Sequence, residues 1–161
     1  MMEVHLTRVD LVVVGTLSAE LADACADYER RLGRYVKLHV HELKSEPTAR
    51  GEQVVLRSEG ARMAEQLDRI ERQVADTTTI VVLDPAGAQP TTEQLVERWL
   101  AVRHLVLVIG GSMGIARDVR ARATATVAFG RITLPHQIAR LVATEQLYRC
   151  FRIARGEPYH Y

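Results

Sequence analysis

The sequence predicts an α/β fold with a largely parallel β-sheet. Short unbroken apolar runs, which are typical of strands buried on both faces, alternate with longer segments of helical periodicity. This alternation is the pattern of consecutive strand–helix–strand units. The chain has 161 residues, of which 47% are apolar and 25% charged. That length and composition are typical of one globular domain, which we expect to span residues 1–161.

In the first half of the chain, hydrophobic periodicity and turn residues predict the helices and strands. In chain order, the elements predicted over the whole chain are a strand at 4–14, helix 18–33, a strand at 36–40, a helix from the loop at 44–51 to about 72, strand 79–84, a helix after Thr91, strand 105–109, helix 115–123, strand 125–133 and helix 137–155. Gly33 ends the first helix, and the residues at 36–40 alternate between apolar and polar. Gly60 is expected to divide the second helix in two.

The elements of the second half have stronger boundary signals. Thr91 and Gln94 form a capping box at the start of one helix. The last helix carries apolar residues on more than one face, which favours burial on several sides. In a small domain this pattern predicts contact with a partner subunit.

The strand at 105–109 leads directly into three glycines, Gly110, Gly111 and Gly114. Glycine allows a sharp turn and a close approach of a ligand to the backbone. In α/β proteins, ligands bind beyond the carboxyl ends of the strands. This junction is therefore the first candidate for a binding site.

Charge is unevenly distributed although the net charge is only +1. Residues 115–161 contain eight arginines and three acidic residues. Such a segment suits an anionic partner, although a solvated helix face would explain the arginines equally well. We expect no membrane span, no secretory leader and a cytoplasmic location.

Neither the cysteines nor the histidines indicate a metal site. Cys25 and Cys150 are far apart and are expected to be free, buried thiols. His39 and His41 share one side of a predicted strand and are expected on its solvated face. No metal is required by any feature of the sequence.

Two common nucleotide motifs are missing, and one hydrolase motif is present. The chain has no phosphate-binding Walker loop and no Gly-x-Gly-x-x-Gly fingerprint. Residues 110–114 match Gly-x-Ser-x-Gly, the turn that presents a nucleophilic serine in α/β-hydrolases. In that alternative, Ser112 is the nucleophile, with Glu145 and His160 as its partners.

Nearly the whole chain resembles the SPOUT-class large-subunit rRNA methyltransferases that act on N3 of a pseudouridine, the RlmH family. The residues that carry the resemblance are Leu83-Asp84-x-x-Gly87, Ile109-Gly110-Gly111-x-x-Gly114, Thr133-Leu134-Pro135-His136, the pair Glu59-Gly60, and a terminal block from Leu141-Val142-Ala143 through Glu145 and Leu147-Tyr148-Arg149 to Pro158-Tyr159-His160. The resemblance is densest after residue 80.

The resemblance implies a SPOUT α/β knot, a homodimer and S-adenosyl-L-methionine as cofactor. Residues 105–135 would form the loops of a C-terminal trefoil knot, and the last helix would thread through them. Each site would be completed by the partner subunit. The cofactor positions that the resemblance implies are Leu83, Gly110, Gly111, Gly130, Arg131, Ile132, Thr133, Leu134 and Pro135.

The implied chemistry needs alignment of the acceptor and removal of one proton. His160 and Tyr159 are the candidates for that proton transfer, and they could reach the site from the other subunit. Arg140, Arg149 and Arg152 are candidates for binding phosphates of ribosomal RNA or of an assembled ribosome. Methylation of a free nucleoside or another small metabolite, and a dimer that only binds RNA, remain alternatives.

Overall fold

Ten helices and strands alternate along the chain in the computed structural model, which describes residues 2–161. They are β1 (Arg8–Val14), α1 (Ala19–Leu32), β2 (Lys37–Leu43), α2 (Glu52–Gln73), β3 (Thr78–Ala88), α3 (Thr92–Trp99), β4 (His104–Ile109), α4 (Arg117–Ala121), β5 (Ala125–Val127) and α5 (His136–Ala154). A single 3-10 turn at Thr48–Arg50 lies between β2 and α2.

All five strands form one parallel sheet in the order β2-β1-β4-β3-β5. The central strands are the most apolar, and every residue of β4 is buried. Strands covered on both faces need such continuous apolar runs. The predicted α/β fold with a parallel sheet is therefore confirmed.

Two helical layers enclose the sheet. Helices α1, α3 and α5 cover one face, where Leu11 and Phe151 belong to the same apolar cluster. Helices α2 and α4 cover the other face, where Val12 packs with Met63. Leu11 and Val12 are neighbours in β1 and face opposite layers because side chains alternate along a strand. Neither layer covers the carboxyl edge of the sheet, where the connecting loops lie.

Gly60 does not divide the second helix, contrary to the sequence prediction. Helix α2 is continuous over Glu52–Gln73, and Gly60 is buried within it. A Cβ on Gly60 would lie 2.7 Å from the Cβ of Ala116, immediately before α4. The glycine is therefore explained by close packing of the chain at Ala116 against α2.

The predicted strand at 125–133 is also wrong beyond its first residues. Strand β5 ends at Val127, and the chain then leaves the sheet. Strand β3 is longer than predicted, but its register with β5 shifts between Leu83 and Ala88, both of which pair with Val127. Residues 84–87 thus form an irregular segment, the β3 excursion, near the carboxyl end of this strand.

The cysteines and one of the two histidines can be compared directly with the predictions. Cys25 and Cys150 are free and buried, as predicted. His41 does not lie on a fully solvated face, since its Nε2 lies 2.7 Å from the buried carboxylate of Asp10. Within residues 2–161, every helix is too short or too polar to span a lipid bilayer.

Candidate functional site

Three loops at the carboxyl edge of the sheet enclose a cavity of about 460 Å³. They follow β4 at 110–116, interrupt β3 at 84–87 and follow β5 at 128–135. The volume is within the range of small-molecule sites. Among the predicted cofactor residues, the cavity wall includes Leu83, Gly110, Gly111, Ile132, Thr133 and Leu134. Gly130, Arg131 and Pro135 belong to the loop at 128–135 but are not part of the wall.

The loop after β4 folds back on itself through its glycines. The N–H of Gly114 donates to the carbonyl of Gly111 at 3.0 Å. Gly114 has φ of +85°, a conformation that favours glycine. A Cβ on Gly110 would lie 2.5 Å from the carbonyl oxygen of Gly114. A side chain at position 110 would therefore open the turn that forms one wall of the cavity.

Position 111 has to be a glycine for a different reason. A Cβ there would lie 2.9 Å from Oε1 of Glu59 and 3.1 Å from Cγ1 of Val14. Glu59, on α2, is 2% exposed, and its Oε2 accepts the N–H of Glu46 at 2.9 Å. Its Oε1 is buried without a hydrogen-bond partner in residues 2–161. The Glu59 carboxylate thus occupies the space that a Cβ at position 111 would need, and it packs against the glycine turn.

The loop after β5 presents a run of free backbone groups. Among the described residues, the N–H and C=O groups of 129–134 have no intramolecular hydrogen-bond partner. Gly130 has φ of +92°, which only glycine adopts readily. Unpaired backbone donors and acceptors must bind water or a ligand. Six consecutive residues of this kind beside a cavity are well suited to the edge of a heteroaromatic base.

Only three titratable side chains, Asp84, Arg120 and His136, are part of the cavity wall formed by residues 2–161. Arg120 on α4 pairs with Asp84 in the β3 loop. His136 begins α5 and lies against Gly15, where a Cβ would be 3.4 Å from its Nε2. Sequence analysis missed Arg120, because an arginine in a helix carries no signal for a site. Asp84 did carry such a signal, because it lies in the turn that ends at Gly87.

The C-terminal tail forms a cluster of its own, away from the cavity wall. Tyr159 donates its hydroxyl to Oε1 of Glu145 at 3.1 Å and stacks edge-on against Tyr148 at 4.9 Å. The guanidinium of Arg149 lies 4.6 Å from the centre of the Tyr159 ring. Arg149 also donates to Nδ1 of His160 at 3.2 Å, since a guanidinium has no acceptor. The structure therefore brings together three of the predicted catalytic and substrate residues.

Burial and hydrogen bonds to Tyr28 and Glu145 raise the pKa of Tyr159 well above its ordinary value. The phenol therefore keeps its proton at neutral pH and can act as a hydrogen-bond donor.

The other two predicted substrate arginines already have carboxylate partners. Arg140 is buried and donates to Glu42 at 2.8 Å and to Glu29 at 3.0 Å. Arg152 pairs with Glu157 and donates to the carbonyl of Pro158 at 3.1 Å. Neither arginine is part of the cavity wall. Their predicted role toward phosphates stays a prediction.

The structure does not assemble the alternative serine hydrolase. Ser112 is part of the cavity wall, whereas the ring nitrogens of His160 lie next to Arg149 and Glu93. Glu145 bonds to Arg149, Gln146 and Tyr159 rather than to a histidine. The order of the three residues along the chain is therefore not matched by a triad in space.

Fold and cavity together define the class of this protein. It is a parallel α/β protein with a cavity at the carboxyl edge of its sheet, built from glycine turns and free backbone groups rather than from a phosphate loop.

Comparison with known proteins places the chain within that class. The family described as "Predicted SPOUT methyltransferase" matches residues 7–160. A protein of Streptococcus pneumoniae named ribosomal RNA large subunit methyltransferase H is 37% identical over 160 residues, which cover 95% of this chain and 99% of the relative. Relatives of the same name from Clostridium beijerinckii and Bifidobacterium adolescentis are 36% and 35% identical, with the same coverage. The chain belongs to the SPOUT methyltransferase family.

Proposed function

We propose that this protein methylates ribosomal RNA of the large subunit at N3 of a pseudouridine, with S-adenosyl-L-methionine as methyl donor. The observation that carries the proposal is the cavity of about 460 Å³, whose wall combines glycine turns with a loop of unpaired backbone groups. The names of the relatives, which specify ribosomal RNA of the large subunit, support the choice of substrate.

The residues of the cavity suit an adenosyl ligand. Leu83 provides an apolar surface, Gly110 and Gly111 form a wall without side chains, and residues 130–134, ahead of Pro135, offer backbone donors and acceptors. When bound, the cofactor supplies a methyl group already activated on a sulfonium. The chain itself therefore needs to align the acceptor and exclude water rather than to activate the methyl group.

The acceptor nitrogen must lose its proton when its new bond to carbon forms. We assign this proton to His160, whose Nδ1 accepts a hydrogen bond from Arg149 and would exchange it for the proton of the acceptor nitrogen. Tyr159 and Arg149 would stabilise the negative charge that develops on the pseudouridine ring. Arg152 is assigned to the RNA backbone through its positive charge, whereas Arg140, which is buried between Glu29 and Glu42, would first have to release these carboxylates.

The site requires two copies of the chain in this proposal. Ile138, Leu141 and Val142 of α5 are only half-buried in one copy, which suits an apolar interface between subunits. The tail of one subunit would then complete the cavity of the other. Each subunit is one domain, with α5 threaded through the loops of 105–135 as a trefoil knot, and acts where ribosomes lie, in the cytoplasm.

Transfer of a radioactive methyl group tests the activity and the substrate together. Large ribosomal subunits from cells that lack this enzyme are expected to gain one methyl group per particle, and digestion should place it on N3 of a pseudouridine. Free pseudouridine should gain none under the same conditions. His160→Ala is expected to reduce the rate by about a hundredfold. Methylation of free nucleosides in preference to ribosomes would contradict the proposal and favour the small-metabolite alternative.

A further inference from the structure

The cavity has one ion pair in its wall, between Asp84 and Arg120. Asp84 belongs to the excursion that interrupts β3, and Arg120 belongs to α4, so the pair joins two different loops around the cavity. The Asp84 side chain is 11% exposed and the Arg120 side chain 47% exposed. A partly exposed pair contributes little to folding stability. Folding stability is therefore a weak explanation for the presence of these two charged side chains in the cavity wall.

Both groups keep unused hydrogen-bonding capacity. Oδ1 of Asp84 accepts the N–H of Ala86 at 2.8 Å, and the closest approach of Arg120 is to Oδ2. The closest contact of Arg120 with Asp84 and its hydrogen bond to the carbonyl of Ile115 are both made by Nη2. Its Nε and Nη1 have no acceptor in the described part of the chain. A guanidinium with free donors and a carboxylate with free lone pairs thus lie side by side.

We propose that Asp84 and Arg120 bind the α-amino-acid end of the ligand, Arg120 through the carboxylate and Asp84 through the ammonium. An α-amino acid carries one positive and one negative group on the same carbon, and the pair presents the complementary two charges. No other carboxylate or guanidinium is part of the cavity wall among residues 2–161. This assignment rests on the proposed function, since an adenosyl methyl donor ends in such an amino acid.

Two adenosyl ligands that differ only at this end isolate the contact. S-adenosylhomocysteine has the amino acid, and 5′-methylthioadenosine has a methyl group in its place. Calorimetry on the wild-type protein is expected to give tighter binding of S-adenosylhomocysteine. Arg120→Gln should weaken S-adenosylhomocysteine by about tenfold or more and leave 5′-methylthioadenosine unchanged. Asp84→Asn, which keeps an acceptor for the N–H of Ala86, should act on the same ligand in the same direction.

Arg117→Gln is the matched control. Arg117 belongs to the same helix, is exposed and is not part of the cavity wall. It should leave the affinities for both ligands unchanged. Unchanged binding of 5′-methylthioadenosine by Arg120→Gln also shows that the variant is folded.

The outcomes separate this inference from the function on which it rests. If the wild-type protein binds neither ligand, the proposed function fails. If it binds both with equal affinity, or if Arg120→Gln weakens both equally or neither, the amino-acid contact is refuted while adenosyl binding stands. A loss of ribosome methylation by Arg120→Gln with an unchanged ligand ratio also refutes it, because Arg120 would then act on the RNA.

Discussion

At the scale of single residues, Gly111 has a structural requirement that the sequence does not reveal. The sequence suggests Gly111 as a site residue because a ligand could approach its backbone. Gly111 is part of the cavity wall, yet the position of its missing Cβ is taken by the Glu59 carboxylate. The glycine is thus required by the protein itself, before any ligand binds.

We predict that Gly111→Ala costs about 2 kcal/mol of unfolding free energy, because the new Cβ meets a buried carboxylate. Moving Glu59 aside would break its hydrogen bond to the N–H of Glu46. In the Glu59→Ala background, the same substitution at position 111 should cost much less, because the carboxylate is gone. Urea denaturation of the two single variants and the double variant measures this coupling.

Gly114→Ala is the control for backbone strain. Gly114 has positive φ, but no atom lies within 4 Å of its missing Cβ. Its cost should be the same with and without Glu59. Fully additive costs for Gly111→Ala and Glu59→Ala would show that the two residues do not compete for space.

At the scale of elements, one carboxylate joins three neighbouring strands. Asp10 of β1 is fully buried and accepts hydrogen bonds from His41 of β2 and His104 of β4, both at 2.7 Å. Arg8 completes the set, with Nε at 2.8 Å from Oδ2. Burial alone would raise the pKa of Asp10. These three partners outweigh burial and hold the pKa well below its ordinary value of 3.8.

A depressed pKa makes this contribution to stability depend on pH. Above the unfolded value of 3.8 the contribution is complete, and it is lost as pH falls toward the folded pKa. Asp10→Asn should therefore cost about 3 kcal/mol at neutral pH. The gap between wild type and variant should narrow between about pH 5 and pH 2. Asp76→Asn, at an exposed position, is the control and should show no such narrowing. A gap that stays constant with pH would mean that the pKa of Asp10 is the same in the folded and the unfolded protein, and it would contradict the prediction.

The helices and strands of this chain could be predicted from the sequence, whereas most contacts between them could not. Periodicity predicts the strands and helices because burial of one face repeats along each element. It cannot predict that Gly60 serves a contact with Ala116, since that contact joins residues far apart in the chain. For the same reason, Arg120 and the carboxylate of Glu59 had no visible role at the site. Gly110 and Gly111 could be proposed for the site because they follow a strand, whereas the loop at 130–135 was proposed only because of the family resemblance.

At the scale of the whole molecule, the two parts of the candidate site lie apart within one copy of the chain. The cavity holds the groups suited to a cofactor, whereas His160 and Tyr159 lie in a cluster with Arg149 and Glu145 outside its wall. Helix α5 connects them, with His136 at the cavity and Arg149 at the cluster. A rigid helix cannot fold back to bring its own ends together. A second copy of the chain offers a direct solution.

Mixed dimers distinguish a site shared between subunits from a site within one subunit. Leu83→Trp should fill the cavity, and His160→Ala should remove the proposed proton acceptor, so each variant alone should retain no more than about a hundredth of the wild-type rate. In a mixed dimer, purified through two different tags, one cavity is intact and the intact tail belongs to the other subunit. If tails act across the interface, the mixed dimer should recover about half of the wild-type methylation rate per dimer, since one of its two sites is complete. If each tail serves its own cavity, both sites carry a defect and the mixed dimer stays inactive. Recovered activity therefore requires the partner's tail, because no single chain in that preparation contains a complete set of residues.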